Sequence, residues 1–338
     1  MQLLLRPVQA VVIYSISAFY AVLFVLRTAI EFVVDPNRYW STRTRFLSPA
    51  VLDDPTFGRH KYAEVNGVKL HYIENGNPDK PLMLFLHGFP EFWFSWRHQM
   101  KEFSQDYRVV ALDMRGYGRS SAPSDRSAYQ LDLLIEDVKS FVTMMGYEKV
   151  TLVGHDWGAI VGFQFVQKHM DMIDRYIMMG APSLDVTRRL LATSWRQFRM
   201  SWYAFFFLMP WLPEFYIKKR DFRYIEDNMG GFLTSLDLEV YKYTFSKPGS
   251  LTRAIDYYRE NFSFLRKEAK LPEIDRYSPG LYLMAENDKF ITMQSGQLLM
   301  KAMPRLRCRV VPGSGHHMQQ DQPVLVNKMI RDFLELNN

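Results

Sequence analysis

The run Val150-Thr151-Leu152-Val153 leads into Gly154-His155-Asp156-Trp157-Gly158, and a helix-like stretch, Ala159 to His169, follows at once. An apolar, β-branched run that ends in Gly-x-Asp-x-Gly before a helix has the form of a nucleophile elbow. Such a turn lifts one side chain above a sheet. Small residues flank its apex because the turn brings backbones close together. The usual apex is serine; here it is Asp156. A carboxylate can attack an sp3 carbon and leave an alkyl ester on the protein, an ester that only activated water clears. The same five residues would also suit an ordinary turn, since Asp favours turn geometry. The rest of the chain has to decide.

The water-activating base expected is His316, in Gly313-Ser314-Gly315-His316-His317 after the last strand-like run, with His317 as its competitor. Such a base needs an acid to hold its tautomer. Asp288, in Glu286-Asn287-Asp288, follows the strand-like run Leu281–Ala285, and Asp185 and Glu286 are the alternatives. The order Asp156, Asp288, His316 is the nucleophile, acid, base order of α/β-hydrolases. In that topology the turn His87-Gly88-Phe89-Pro90, at the end of Leu82–Leu86, lies beside the elbow. The backbone amides of Phe89 and Trp157 are then the candidate donors of an oxyanion hole, although His87–Pro90 also reads as a plain strand-ending turn.

The elements that must position these groups alternate. Lys61–Val65 and Val68–Glu74 flank Asn66-Gly67, a strong hairpin signal. Leu82–Leu86 and Arg108–Leu112 are short and apolar, as buried strands are. Leu131 to Met145 has helical spacing, with Ile135, Val138, Phe141, Val142 and Met145 as its inner face. Strand Ile173–Met179 follows, and later Leu281–Ala285, helix Met293–Met303, strand Arg307–Val311 and helix Pro323–Leu336. Strands alternating with helices predict an α/β fold with a mostly parallel central sheet flanked by helices. Residues 57–182 and 272–338 form this core. Residues 183–271 break the alternation with aromatic, basic and Met-rich helical stretches, Trp195, Trp202, Phe205, Phe206, Phe207 and Trp211 among them. They predict an inserted helical cap.

The N-terminus reads differently. Val8 to Leu26 is nineteen residues without a charge, bounded by Arg6 and Arg27, a length that just spans a hydrocarbon core. Residues 1–34 are expected to be a membrane anchor helix and 35–56 a juxtamembrane linker. The arginines after the segment, Arg27, Arg38, Arg43 and Arg45, favour a cytosolic catalytic domain by the positive-inside rule. A single-pass protein of the endoplasmic reticulum membrane is expected. The net charge of +6 is scattered and carries no nucleic-acid signature, so nucleic acid is excluded as a partner. One cysteine, Cys308, leaves no intramolecular disulfide and no His/Cys metal framework. Asn261-Phe262-Ser263 is a sequon, a triplet common by chance.

His87-Gly88-Phe89-Pro90-Glu91, Ser95-Trp96-Arg97, Asp113-Met114-Arg115-Gly116-Tyr117-Gly118 and Gly154-His155-Asp156-Trp157-Gly158 together resemble the α/β-hydrolase-fold epoxide hydrolases. The resemblance runs from about residue 57 to the C-terminus and is closest to the membrane-anchored members. It implies two cap tyrosines that hydrogen-bond the epoxide oxygen. Tyr203, seven residues before Pro210, matches the first, and Tyr258 the second, with Tyr257 its neighbour. The implied reaction opens a lipophilic epoxide, such as a fatty-acid epoxide, to a vicinal diol through an ester on Asp156. It needs no metal or organic cofactor. The rival chemistry is a haloalkane or haloacid dehalogenase with the same Asp nucleophile. A noncatalytic, membrane-tethered binding protein of this fold is the rival of another class.

Overall fold

The computed structural model describes residues 2–36, 42–262 and 278–336. Part of the expected linker (37–41, with Arg38) and the end of the expected cap segment (263–271, with Ser263) lie outside the described residues.

The strands are β1 (Arg59–Val65), β2 (Val68–Asn75), β3 (Leu82–Leu86), β4 (Arg108–Leu112), β5 (Val150–His155), β6 (Ile173–Met179), β7 (Gly280–Ala285) and β8 (Leu306–Val311). They form one sheet in the order β1-β2-β4-β3-β5-β6-β7-β8. β1 and β2 pair antiparallel and β2 joins β4 antiparallel, while the other pairings are parallel. The β1–β2 turn places Asn66 and Gly67 at φ 50° and 73°, the left-handed pair a two-residue hairpin requires. β3 and β5 are buried along their whole length, which is why their sequences are continuously apolar rather than alternating.

The helices, in chain order, are α1 (Gln2–Val34), α2 (Arg97–Phe103), α3 (Leu131–Met144), α4 (Trp157–Lys168), α5 (Leu184–Thr193), α6 (Trp195–Met200), α7 (Trp202–Phe206), α8 (Leu212–Met229), α9 (Ser235–Ser246), α10 (Ser250–Asn261), α11 (Gln294–Ala302), α12 (Met318–Asp321) and α13 (Pro323–Glu335). The anticipated inner face of α3 is buried, Ile135, Val138, Phe141 and Val142 included. α5 to α10 all lie between β6 and β7, with no strand among the described residues there.

Strand order decides where a site can form. From β3 the chain steps to β4 on one side, and later returns to β5 on the other. This reversal opens a crevice at the carboxyl ends of β3 and β5. Leu86 pairs with Gly154, so the loops starting at His87 and His155 leave the sheet side by side. Ala285 pairs with Val311, which delivers the loops bearing Asp288 and His316 together.

Two stretches make contacts that the sequence reading did not anticipate. The apolar run Val8–Leu26 is the middle of a longer helix, α1, whose Tyr20–Phe24 part packs on the cap helices α7 and α8. Ser17, Ala21 and Phe24 are buried. Tyr20 meets Trp202 at 6.1 Å between ring centroids, and Phe24 meets Phe206 at 5.1 Å. The stretch read as a linker is docked too. Arg45 forms a bidentate pair with Asp221 at 2.7 Å on both nitrogens and reaches Glu239 at 3.0 Å. Asp221 lies where α8 leaves helical geometry, with Arg220, Asp221 and Phe222 at φ 53°, 56° and 63°. Left-handed backbone at non-glycine residues costs about 1–3 kcal/mol each, and the Arg45 clamp offsets part of that.

The packing of β3 against α4 allows only glycine at 158, where a Cβ would sit 2.0 Å from the Leu86 carbonyl oxygen. Because that neighbour is backbone, Gly158→Ala is expected to cost about 3 kcal/mol of stability, the upper end of the usual overpacking range. Urea unfolding of the two proteins measures it, and an unchanged midpoint would contradict the packing.

Candidate active site

β5 ends at His155 and α4 begins at Trp157, which leaves Asp156 alone at the crest of the turn with φ 51° and ψ −116°. A non-glycine residue in that region is strained, and the strain points the carboxylate into the crevice. Gly88 faces it so closely that a Cβ there would lie 2.4 Å from the Asp156 Cβ. The close approach lets the Phe89 amide donate to Asp156 Oδ1 at 2.8 Å. Trp157, the other expected amide donor, opens α4 directly beside the apex.

His316 and Asp288 meet at the same place. His316 Nε2 lies 3.5 Å from Asp156 Oδ2, and its Nδ1 lies 2.9 Å from Asp288 Oδ2. Asp288 Oδ1 accepts from the amides of Phe290 and Ile291 at 2.7 and 3.0 Å, so the carboxylate is fixed before it orients the imidazole. The alternatives sit elsewhere. Asp185 pairs with Arg188 at 3.0 Å. Glu286 accepts from the Gly313 amide at 2.7 Å and braces the turn that precedes His316. His317 turns the other way, to Glu91 at 3.0 Å.

The two tyrosines lie over this group. The Tyr258 ring packs on Trp157 at 5.0 Å and Phe89 at 5.6 Å, the residues on either side of the Asp156 carboxylate. Tyr203 packs on Phe290 at 5.2 Å, and Phe290 on His316 at 4.9 Å. The two tyrosine rings are 6.0 Å apart. Tyr257 is spent elsewhere, donating to the Arg115 carbonyl at 2.7 Å. Burial, reinforced by the Asp156 charge, raises both Tyr203 and Tyr258 well above the ordinary phenol value. That keeps them protonated as donors at neutral pH.

This chain belongs to the epoxide hydrolases of the α/β hydrolase fold. Residues 81–323 match the family described as "alpha/beta hydrolase fold". Epoxide hydrolase 4 of Homo sapiens is 38% identical over 313 residues, which cover 89% of this chain and 85% of the relative. Epoxide hydrolase 3 of Xenopus tropicalis is 36% identical over 86% of this chain and 82% of its own length. Among solved structures, an epoxide hydrolase of Bacillus megaterium in complex with an inhibitor superposes with a TM-score of 0.75 at 32% identity. It covers 81% of this chain and all of its own.

One side chain with no role in the sequence reading organises the site. Glu91 is fully buried and accepts from the Gly88 amide at 3.1 Å, His155 at 2.8 Å, His317 at 3.0 Å, and Gln319 and Gln320 at 2.9 Å each. Burial opposes its charge, but His155 and His317 outweigh burial and hold the carboxyl well below its usual range. His155 Nε2 also lies 2.9 Å from the His316 carbonyl. Both of its ring nitrogens therefore face oxygen acceptors. Glu91, His155 and His317 are spaced as metal ligands can be, and their hydrogen bonds tie them to one another through the Glu91 carboxylate. The signal in the sequence was the acidic residue closing His87-Gly88-Phe89-Pro90-Glu91, an odd choice beside an apolar strand.

Burial works against a charged His316, but Asp288 and Asp156 outweigh it and push the imidazolium up to about 10. Unfolded, the same group titrates near its ordinary 6.5. Its contribution to stability is thus full below about pH 6.5 and is lost as pH climbs through about 10. The melting temperature of the wild type is expected to fall over that window more steeply than that of Asp288→Asn. Parallel melting curves across the window would contradict the pairing.

Proposed function

We propose that this chain converts a lipophilic epoxide to a vicinal diol through an ester on Asp156. The observation that carries the reading is the convergence of a strained carboxylate, an Asp288–His316 pair and two phenols in one crevice. Asp156 attacks a ring carbon from behind while Tyr203 and Tyr258 donate to the ring oxygen. Charge developing on that oxygen strengthens both hydrogen bonds, and stabilisation selective for the transition state is what lowers a barrier. With the Asp156 charge gone, the His316 proton passes through solvent to the ring-opened alkoxide, and neutral His316, oriented by Asp288, then takes a proton from the water that attacks the ester carbonyl. The amides of Phe89 and Trp157 hold the resulting oxyanion. The acyl C–O bond then breaks: the Asp156 oxygen that attacked the epoxide leaves in the diol with the proton held by His316, and the water oxygen stays behind in the Asp156 carboxyl, whose proton returns to His316.

Residues 183–271 act as the cap in this reading, since α7 brings Tyr203 and α10 brings Tyr258 over the sheet. α1 acts as a membrane anchor. The support is one helix, with Ala10–Val34 at a mean hydropathy of 2.0. The relatives named above are epoxide hydrolases. Lipophilicity of the substrate is supported by the aromatic lining, where Phe207 and Phe89 close on the Tyr258 ring at 5.0 and 5.6 Å.

A single turnover in 18O-water, followed by mass spectrometry of the Asp156 peptide, is the decisive experiment. One label atom in Asp156 is expected, and an unlabelled, active enzyme would overturn the ester route. Tyr203→Phe and Tyr258→Phe should each lower the rate of alkylation by about 10²–10³-fold, as loss of one donor to a developing oxyanion does. Stopped-flow measurement of the first step reads this, and an unaltered rate would remove that tyrosine from the mechanism.

A further inference from the structure

α1 has the length and composition of a membrane span, but the cap-packed part of it is not available as a free span. From Ser17 to Glu31 it leans on the cap: Tyr20 on Trp202 at 6.1 Å, Phe24 on Phe206 and Tyr216 at 5.1 and 5.4 Å, and Glu31 on Lys219 at 2.7 Å. A helix needs about 20 residues to cross a hydrocarbon core of roughly 30 Å. The uncharged stretch long enough to cross is Val8–Leu26, nineteen residues bounded by Arg6 and Arg27, and both Tyr20 and Phe24 lie inside it. The anchor cannot cross without carrying into the bilayer the surface it leans on.

We infer that the face of the cap formed by α7 and the first turns of α8 lies within the lipid, with the bilayer as its partner. This rests on reading α1 as a membrane anchor. The chemistry along the contact supports it. Trp202 and Phe206 follow Tyr20 and Phe24 in order, and Phe215 and Lys219 follow Phe24 and Glu31, so the three helices run in the same sense. Their contacts are aromatic from Tyr20 to Phe24, where Lys219 Nζ also comes within 5.2 Å of the Phe24 ring centroid. At Arg27, Glu31 and Lys219 they become ionic, with Arg27 2.8 Å from Glu31. Aromatic groups followed by ions are what hydrocarbon followed by headgroups selects. Trp211, one turn before Phe215, lies on the aromatic side and is 79% exposed. Tryptophan with its ring bare is at home at a lipid interface and costly in water. The outward face of α1 at this level is equally bare, with Phe19, Val22 and Leu26 all exposed.

The consequence for the site is direct. α7 presents Trp202 to α1 and, one residue on, Tyr203 to the crevice, so a single helix separates lipid from the proposed epoxide donor.

The test uses the full chain in phosphatidylcholine vesicles that carry a nitroxide at mid-acyl chain. In a Cys308→Ser background, Val12→Cys or Trp211→Cys carries an environment-sensitive fluorophore. Position 12 reports the anchor alone and position 211 the cap. Quenching at 211 of at least about half that at 12 is expected. Quenching at 12 with none at 211 overturns the inference and leaves the anchor standing. No quenching at either position fails the anchor reading itself, and the inference with it. The conservative Trp211→Phe provides a second readout: it should remove part of the quenching of intrinsic tryptophan fluorescence by brominated lipid. Unchanged intrinsic quenching would count against immersion of this face.

Discussion

The carboxylate of Glu91 is a charge without access to water, and much of the site follows from the need to satisfy it. An unpaired buried carboxylate costs several kcal/mol, enough to consume a large part of a domain's net stability. Five donors from three segments remove that cost here: Gly88 from the loop after β3, His155 from β5, and His317, Gln319 and Gln320 from the chain after β8. Each donor belongs to a segment that also carries, or adjoins, a group proposed to react. The Gly88 contact fixes the loop bearing Phe89. His155 passes the constraint on through the His316 carbonyl. Asp156, the loop bearing Phe89, and His316 are thus located relative to one buried anion, which a surface network could not do as firmly because water would compete for every donor.

Above this frame the cap is held from two directions. Arg45 grips Asp221 at the left-handed bend of α8, and Lys219, two residues earlier, grips Glu31 of α1. The bend is costly backbone that no local sequence preference favours. It exists where two ionic ties from outside the helix converge. The cap is therefore positioned by the N-terminal segment as well as by its own packing on the sheet.

The sheet and its catalytic loops were readable in the sequence because they are locally determined. β3 and β4 have the bounds that their apolar runs predict, and Asn66-Gly67 specifies its own turn. The elbow is legible because strain demands small residues at fixed offsets around Asp156. Glu91 was named only as part of a motif, since its meaning depends on His155 and His317, which are far from it along the chain. The choice between Tyr257 and Tyr258 was open for a similar reason. Both are aromatic on one helix, and only the Arg115 carbonyl, brought in by the fold, takes up the Tyr257 hydroxyl. The docking of α1 was also invisible: hydropathy reports that a face is apolar, not whether lipid or an aromatic cap covers it.

The ion pair between His316 and Asp156 has a temporal meaning. While Asp156 carries its charge, His316 is kept as a cation and has no lone pair to offer a water molecule. In the proposed route, esterification consumes one of the two anions that hold the proton, and Asp288 alone is left against the penalty of burial. In that route the first chemical step favours the neutral form of His316, the form that can act as a base. A carboxylic ester that wandered into the idle site would meet an acid and no activated water. Discrimination between the two kinds of electrophile would then come from an interlock in time, in which hydrolysis is enabled only by a molecule that has already alkylated the enzyme.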